Sequence, residues 1–241
     1  PAAAFWLVKK WKLPRGWSVG LALPVFWTLA EFARERILTG FGWGALGYSQ
    51  IADHSPLAGF APVGGIHLVT FATACIGAWL VLLVDNTQRR ARILAASGII
   101  AVLLAGWLLR GVSFTRPIGN PVSVALVQGN IAQRLKFDES RIAEIYQRYL
   151  SLVSQAHAQI TILPETALPL FLQNTPPEVW QQFADAARAN GSALAVGVPV
   201  FTSDGQGYLN AVANMSGYTG QPEKMPLYAK NHLVPFGEYK P

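Results

Sequence analysis

Residues 66–84 read IHLVTFATACIGAWLVLLV, nineteen positions without a formal charge. A bilayer core of about 30 Å takes about 20 apolar residues in a helix, so this run predicts a membrane span. A second run at 93–109, ILAASGIIAVLLAGWLL, adds seventeen more positions. A weaker third, GWSVGLALPVFWTLA at 16–30, continues to Arg34, and the i,i+3 spacing of Glu31 and Arg34 predicts an ion pair on one helix face. Pro24 in its middle is tolerated in membrane helices, where neighbours re-satisfy the freed backbone. Three such runs in succession predict about three spans rather than the buried helices of a soluble protein.

The rest of the composition agrees. Of 241 residues, 51% are hydrophobic and 13% charged, which excludes a disordered chain, and a single cysteine, Cys75, excludes a disulfide scaffold. The net charge of +6 suggests nucleic acid until it is divided along the chain. Residues 1–120 carry +7 and residues 121–241 carry −1. The excess belongs to the apolar half, where Lys9, Lys10, Lys12 and Arg15 precede the first run and Arg89, Arg90 and Arg92 separate the other two. By the positive-inside rule both basic links are cytoplasmic. The loop 39–65 and everything after about Gly111 then lie outside, and no nucleic-acid partner is expected. Gly42, Gly44 and Gly47 match GxGxxG, but the dinucleotide fingerprint needs a preceding strand and a helix opening on it. A glycine-rich aromatic loop at the membrane surface is the better reading.

The second half alternates strand and helix signals. Strands are expected at 122–127, 160–163, 193–199 and 208–214. Helices are expected from Asp138 to about His157 and from Pro177 to Asn190, with Gly191 after the end. This predicts two domains, transmembrane helices with an outer loop at 1–117 and an α/β domain at 118–241.

The four histidines lack metal-ligand spacing, and no GxSxG elbow is present, so neither a metal nor an organic cofactor is expected. Cys75 sits in an apolar run, where a thiol is inert packing. Two stretches remain. In ITILPETALP (160–169), Glu165 follows a buried strand, and a carboxylate there faces the crevice where open α/β sheets bind ligands. Desolvation would raise its pKa toward general-base duty, although composition alone favours a solvated turn glutamate. In YAKNHLVPFGEY (228–239), Lys230 and Glu238 lie in a turn rich in Pro, Phe and Gly. Such a lysine could stabilise an oxyanion with the carboxylate holding it, or the two could form a surface ion pair.

Four pieces resemble one family: LTGFGWGALGYSQ (38–50), VALVQGNI (124–131), LPE (163–165) and KNHLVPFGE (230–238). The chain is similar to the apolipoprotein N-acyltransferases, the membrane branch of the nitrilase (carbon-nitrogen hydrolase) superfamily, over essentially its whole length. The resemblance implies an αββα sandwich for the second domain, incomplete at its C-terminal end, and a Glu–Lys–Cys triad. Glu165 would be the general base, Lys230 the oxyanion-stabilising lysine and Glu238 an accessory carboxylate. Trp43 would fall on an outer-loop tryptophan beside the active site. The family's nucleophilic cysteine lies downstream of FGE, so no nucleophile is expected in this chain, which reads as an internal fragment. The implied reaction moves an acyl chain from a phospholipid such as phosphatidylethanolamine, through a cysteine thioester, to the N-terminal amine of a diacylglyceryl-cysteine apolipoprotein. It would take place at the bacterial inner membrane with the catalytic domain on the periplasmic side. The alternatives are a membrane-tethered nitrilase-type amidase and, for the isolated chain, an inactive lipid-binding fragment.

Overall fold

The computed structural model describes residues 6, 10, 14–37, 40–52, 54–85 and 88–234. Glu238, Lys9 and Lys12 lie outside them. The described chain divides into two compact units, residues 1–117 with 233–241, and residues 118–232.

The first unit is helical. A turn at Arg15–Trp17 passes through a π-helical stretch, Ser18–Ala22, into α1, Leu23–Arg36. A 3-10 turn at Pro56–Phe60, capped by the Ser55 hydroxyl accepting from Leu57 N–H, leads into α2, Ala61–Asp85, and α3 is Arg89–Arg110. Two helices among the described residues, Pro56–Asp85 and Arg89–Arg110, are long and apolar enough to cross a membrane. Only 33% of the first apolar window and 11% of the second is buried by protein, the opposite of a soluble core helix. The third run is also helical but is not among them. Its last turn and a half carries Glu31, Arg34, Glu35 and Arg36, which belong at an interface rather than in hydrocarbon. The expected Glu31–Arg34 pair is likewise replaced. Glu31 accepts from Trp27 Nε1 at 3.0 Å, from Leu46 N at 3.0 Å and from the Thr70 hydroxyl at 3.0 Å, while Arg34 donates to the Trp43 carbonyl at 2.7 Å. Loop backbone competes for both side chains because its otherwise unpaired N–H and C=O groups need partners.

Small residues set the helix packing. The Gly59 and Gly106 backbones approach so closely that a Cβ on Gly59 would meet the Gly106 carbonyl at 1.9 Å. Pro24 has no N–H to give the Gly20 carbonyl one turn earlier. Trp79 Nε1 in α2 donates to that carbonyl at 2.9 Å, which ties the two helices together.

The second unit is a five-stranded sheet in the order β1 (Val124–Leu126), β2 (Ile160–Ile162), β3 (Ala193–Phe201), β4 (Tyr208–Asn214) and β5 (Leu227–Ala229). The first three strands are parallel and the last two antiparallel. Strand β5 falls where sequence suggested only a turn. Helices α4 (Ile142–Gln155) and α5 (Pro177–Ala189) pack together, with Tyr149 and Val153 from one and Trp180 and Phe183 from the other in a core shared with Leu194, Val196 and Val198. The opposite sheet face is apolar yet open, with Val124, Leu126, Ile162, Val212 and Tyr228 all exposed.

Beyond β2 the chain runs alongside the second half of β3, bonded at Leu163 N to Ala195 O (2.9 Å), Leu168 N to Gly197 O (3.3 Å) and Leu172 N to Pro199 O (2.9 Å). Gly197 makes this close course possible. A Cβ there would lie 2.2 Å from the Pro164 carbonyl and 2.9 Å from the Glu165 Cα, and backbone cannot yield as a side-chain tip can.

Two outcomes follow. Trp79→Phe, which keeps an aromatic ring but loses the donor, should lower the stability of the solubilised protein by about 1 kcal/mol in thermal unfolding. An unchanged melting temperature would contradict its role. Gly197→Ala should destabilise the second unit by about 2 kcal/mol or more and lower its unfolding midpoint; wild-type stability would show that the Glu165 turn is not tied to β3.

Candidate active site

Glu165 sits in a tight turn closed by Ala167 N donating to the Pro164 carbonyl at 3.2 Å. Thr166 takes a left-handed φ of +49°, an uncommon conformation for a β-branched residue. The turn is anchored beneath by Ala167 and Leu168, both fully buried. Backbone strain held by surrounding packing is typical of functional turns.

Two strands bring partners to the carboxylate. Asn210, opposite Pro199 in β4, donates from Nδ2 to Glu165 Oε1 at 3.1 Å. Strand β5 pairs with β4, and immediately after it Lys230 N donates to the Asn210 carbonyl at 2.7 Å. This delivers Lys230 Nζ to 3.5 Å from the same Oε1. Glu165, Asn210, Ala211, Val212, Tyr228 and Lys230 line a cavity of about 210 Å³. From the other side of the turn, Lys136 Nζ donates to the Glu165 main-chain carbonyl at 3.0 Å. Burial lowers the Lys136 pKa, and the Glu165 charge opposes that shift.

The desolvation expected at Glu165 is not found: its side chain is 61% exposed. The residue sits in a turn three residues beyond the end of β2, and a carboxylate on such a turn keeps much of its water. An ion pair this exposed adds about 0–1 kcal/mol to stability, so stability alone does not account for the arrangement. Chemically, the cavity offers a carboxylate able to accept a proton, an ammonium able to meet developing negative charge, and an amide that fixes the carboxylate's orientation.

Sequence reasoning singled out Glu165 and Lys230, and the fold brings them together. It did not find Asn210 or Lys136. Asn210 is one polar residue in an alternating strand, and only the register of β4 against β3 reveals its neighbour. Lys136 could have been suspected as a lone lysine in the loop after a parallel strand, on the ligand-binding edge. Trp43 belongs to the first unit, on the 40–50 loop. It is 73% exposed, its ring stacks on Phe41 at 5.7 Å, and its carbonyl is held by Arg34. Cys75 is 2% exposed within α2. Among the described residues no cluster of three His, Cys, Asp or Glu side chains could hold a metal ion.

Comparison with known proteins places both halves. Residues 1–79 match the family model "Apolipoprotein N-acyltransferase N-terminal domain", and residues 123–241 match the model "Carbon-nitrogen hydrolase". The chain is similar to apolipoprotein N-acyltransferase of Neisseria meningitidis serogroup A, 58% identical over 100% of this chain and 48% of the relative. It is similar to the protein of that name from Chromobacterium violaceum at 45% identity, covering 100% of this chain and 45% of the relative. The corresponding figures for Nitrosomonas europaea are 36%, 100% and 47%. The chain thus spans about half the length of the curated relatives it matches. With both domain models present in order and whole-chain identity at this level, the chain belongs to the apolipoprotein N-acyltransferase family, within the carbon-nitrogen hydrolase superfamily.

Proposed function

We propose that the full-length protein transfers a fatty acyl chain from a phospholipid to the N-terminal amine of a diacylglyceryl-cysteine apolipoprotein. The observation that carries this reading is the meeting of Lys230 Nζ and Asn210 Nδ2 on one oxygen of Glu165 beside a small cavity. In this reading Glu165 takes the proton of a cysteine thiol, and the thiolate attacks the sn-1 ester carbonyl. Lys230 stabilises the tetrahedral oxyanion, which collapses to a thioester as the lysophospholipid alkoxide leaves with the proton. The lipoprotein amine then attacks the thioester, giving the amide and restoring the thiol. Glu238 would hold Lys230 charged, and Trp43 would serve the membrane-facing loop. The nucleophile is not Cys75, which is buried in an apolar helix, so the 241-residue chain by itself forms no thioester.

The domain reading goes with this. Residues 1–117 form the membrane part, with 16–33 as a third span, and residues 118–241 form the catalytic domain, on the periplasmic side of the inner membrane. The open apolar face of the sheet supports an αββα sandwich, because Leu126 at 78% and Tyr228 at 70% exposure call for a covering layer. Lipid-anchored substrates suit a catalytic domain joined to helices that can cross a bilayer.

Glu165→Gln and Lys230→Ala in the full-length protein should each reduce N-acylation of a diacylated lipopeptide by about 10²-fold or more, with labelled phospholipid as donor. Membrane insertion should be unchanged. Wild-type turnover in either variant would refute the site. Free fatty acid without N-acylated peptide from the wild type would replace the transferase by an amidase-like hydrolase.

A further inference from the structure

The loop that follows β1 does not wander. Val127 N donates to the Ile162 carbonyl at 2.9 Å, so the loop leaves the sheet beside the end of β2, the strand that leads to Glu165. Its backbone at Gly129 packs so closely on Tyr149, a core residue 4% exposed, that a Cβ there would lie 2.7 Å from the ring's Cζ, and Asn130 takes a left-handed φ of +54°. A 3-10 turn at Gln133–Leu135 then closes with Lys136 N donating to the Gln133 carbonyl at 3.3 Å. The result is an ordered arm that ends at Lys136, whose Nζ reaches the Glu165 main-chain carbonyl at 3.0 Å.

The position matters because of what that carbonyl precedes. The next residue, Thr166, is in the strained left-handed conformation, and the Glu165 peptide is its N-terminal neighbour. Gly197 supports the turn from beneath, Asn210 and Lys230 fix the carboxylate, and the outward-facing carbonyl has Lys136 as its partner. Without that donor the peptide between Glu165 and Thr166 can relax by rotating, which re-aims the carboxylate. A displacement of about 1 Å can cost about 10²-fold in rate.

We propose that Lys136 is a positioning residue of the active site, clamping the strained Glu165–Thr166 turn through the Glu165 carbonyl so that the carboxylate is held in its reactive aim. This deepens the reading of Glu165 as general base and rests on it. Lys136 acts through backbone and does not touch the reacting atoms. The burial that lowers its pKa fits a partly desolvated clamp, and the Glu165 charge opposes that shift.

The test uses full-length protein, labelled phospholipid and a diacylated lipopeptide, with kcat and KM measured for Lys136→Met, Lys136→Arg and Glu165→Gln. Lys136→Met keeps the apolar stem and loses the donor. Its kcat should fall roughly 10- to 100-fold, with KM within about twofold, melting temperature unchanged, and most of the rate restored in Lys136→Arg. Wild-type kcat in Lys136→Met overturns the clamp. A raised KM at constant kcat overturns it in favour of a substrate contact, and equal loss in Met and Arg variants, or loss matched by a lower melting temperature, overturns it in favour of a structural lysine. If Glu165→Gln is also active, the catalytic reading itself fails; if Glu165→Gln is inactive while Lys136→Met is normal, only the clamp fails.

Discussion

The site depends on one close approach of backbone to backbone. Segment 163–172 can lie along β3 only because position 197 has no side chain, and that course decides where Glu165 projects. Everything else comes from neighbouring strands in register. Strand β4 brings Asn210 across from Pro199, and β5, paired to β4, ends where Lys230 reaches the same carboxylate oxygen. The parallel half of the sheet contributes the carboxylate and the antiparallel half the ammonium, so the cavity lies at the change of strand direction.

The first unit obeys a different constraint, the satisfaction of backbone groups that its helices and loop leave unpaired. Pro24 leaves the Gly20 carbonyl without its helical donor, and Trp79 from α2 supplies one. Glu31 and Arg34 hold the loop backbone at Leu46 and Trp43. Thr70, fully buried, accepts from Gly47 N and donates to Glu31. The aromatic loop is therefore fastened to helices at several points, although its own sequence is rich in glycine.

Much of this was legible in the sequence. Apolar runs at 66–84 and 93–109 became α2 and α3, and the strand at 208–214 appears with those bounds. The turn around Lys230 left a surface ion pair as open as chemistry, and the family resemblance of KNHLVPFGE gave Lys230 its expected role. What sequence could not supply was pairing. Strand β5 is three residues long and follows a proline, too short for a period-2 signal, yet it decides where Lys230 goes. Asn210 and Lys136 are ordinary residues made significant by register and by one loop's course. Glu31 and Arg34 looked like each other's partners because i,i+3 spacing favours pairing, and the need of the loop backbone outweighed that local preference. The charge excess lies in the half that carries the apolar helices, and Arg89, Arg90 and Arg92, expected as a link, form the first turn of α3.

The most direct test of the account is the acyl-enzyme itself. Full-length protein incubated with labelled phospholipid and no acceptor should show, by intact mass and peptide mapping, one hydroxylamine-sensitive acyl adduct on a cysteine other than Cys75. The adduct should be lost in Glu165→Gln. An adduct on Cys75, or undiminished labelling in Glu165→Gln, would contradict it.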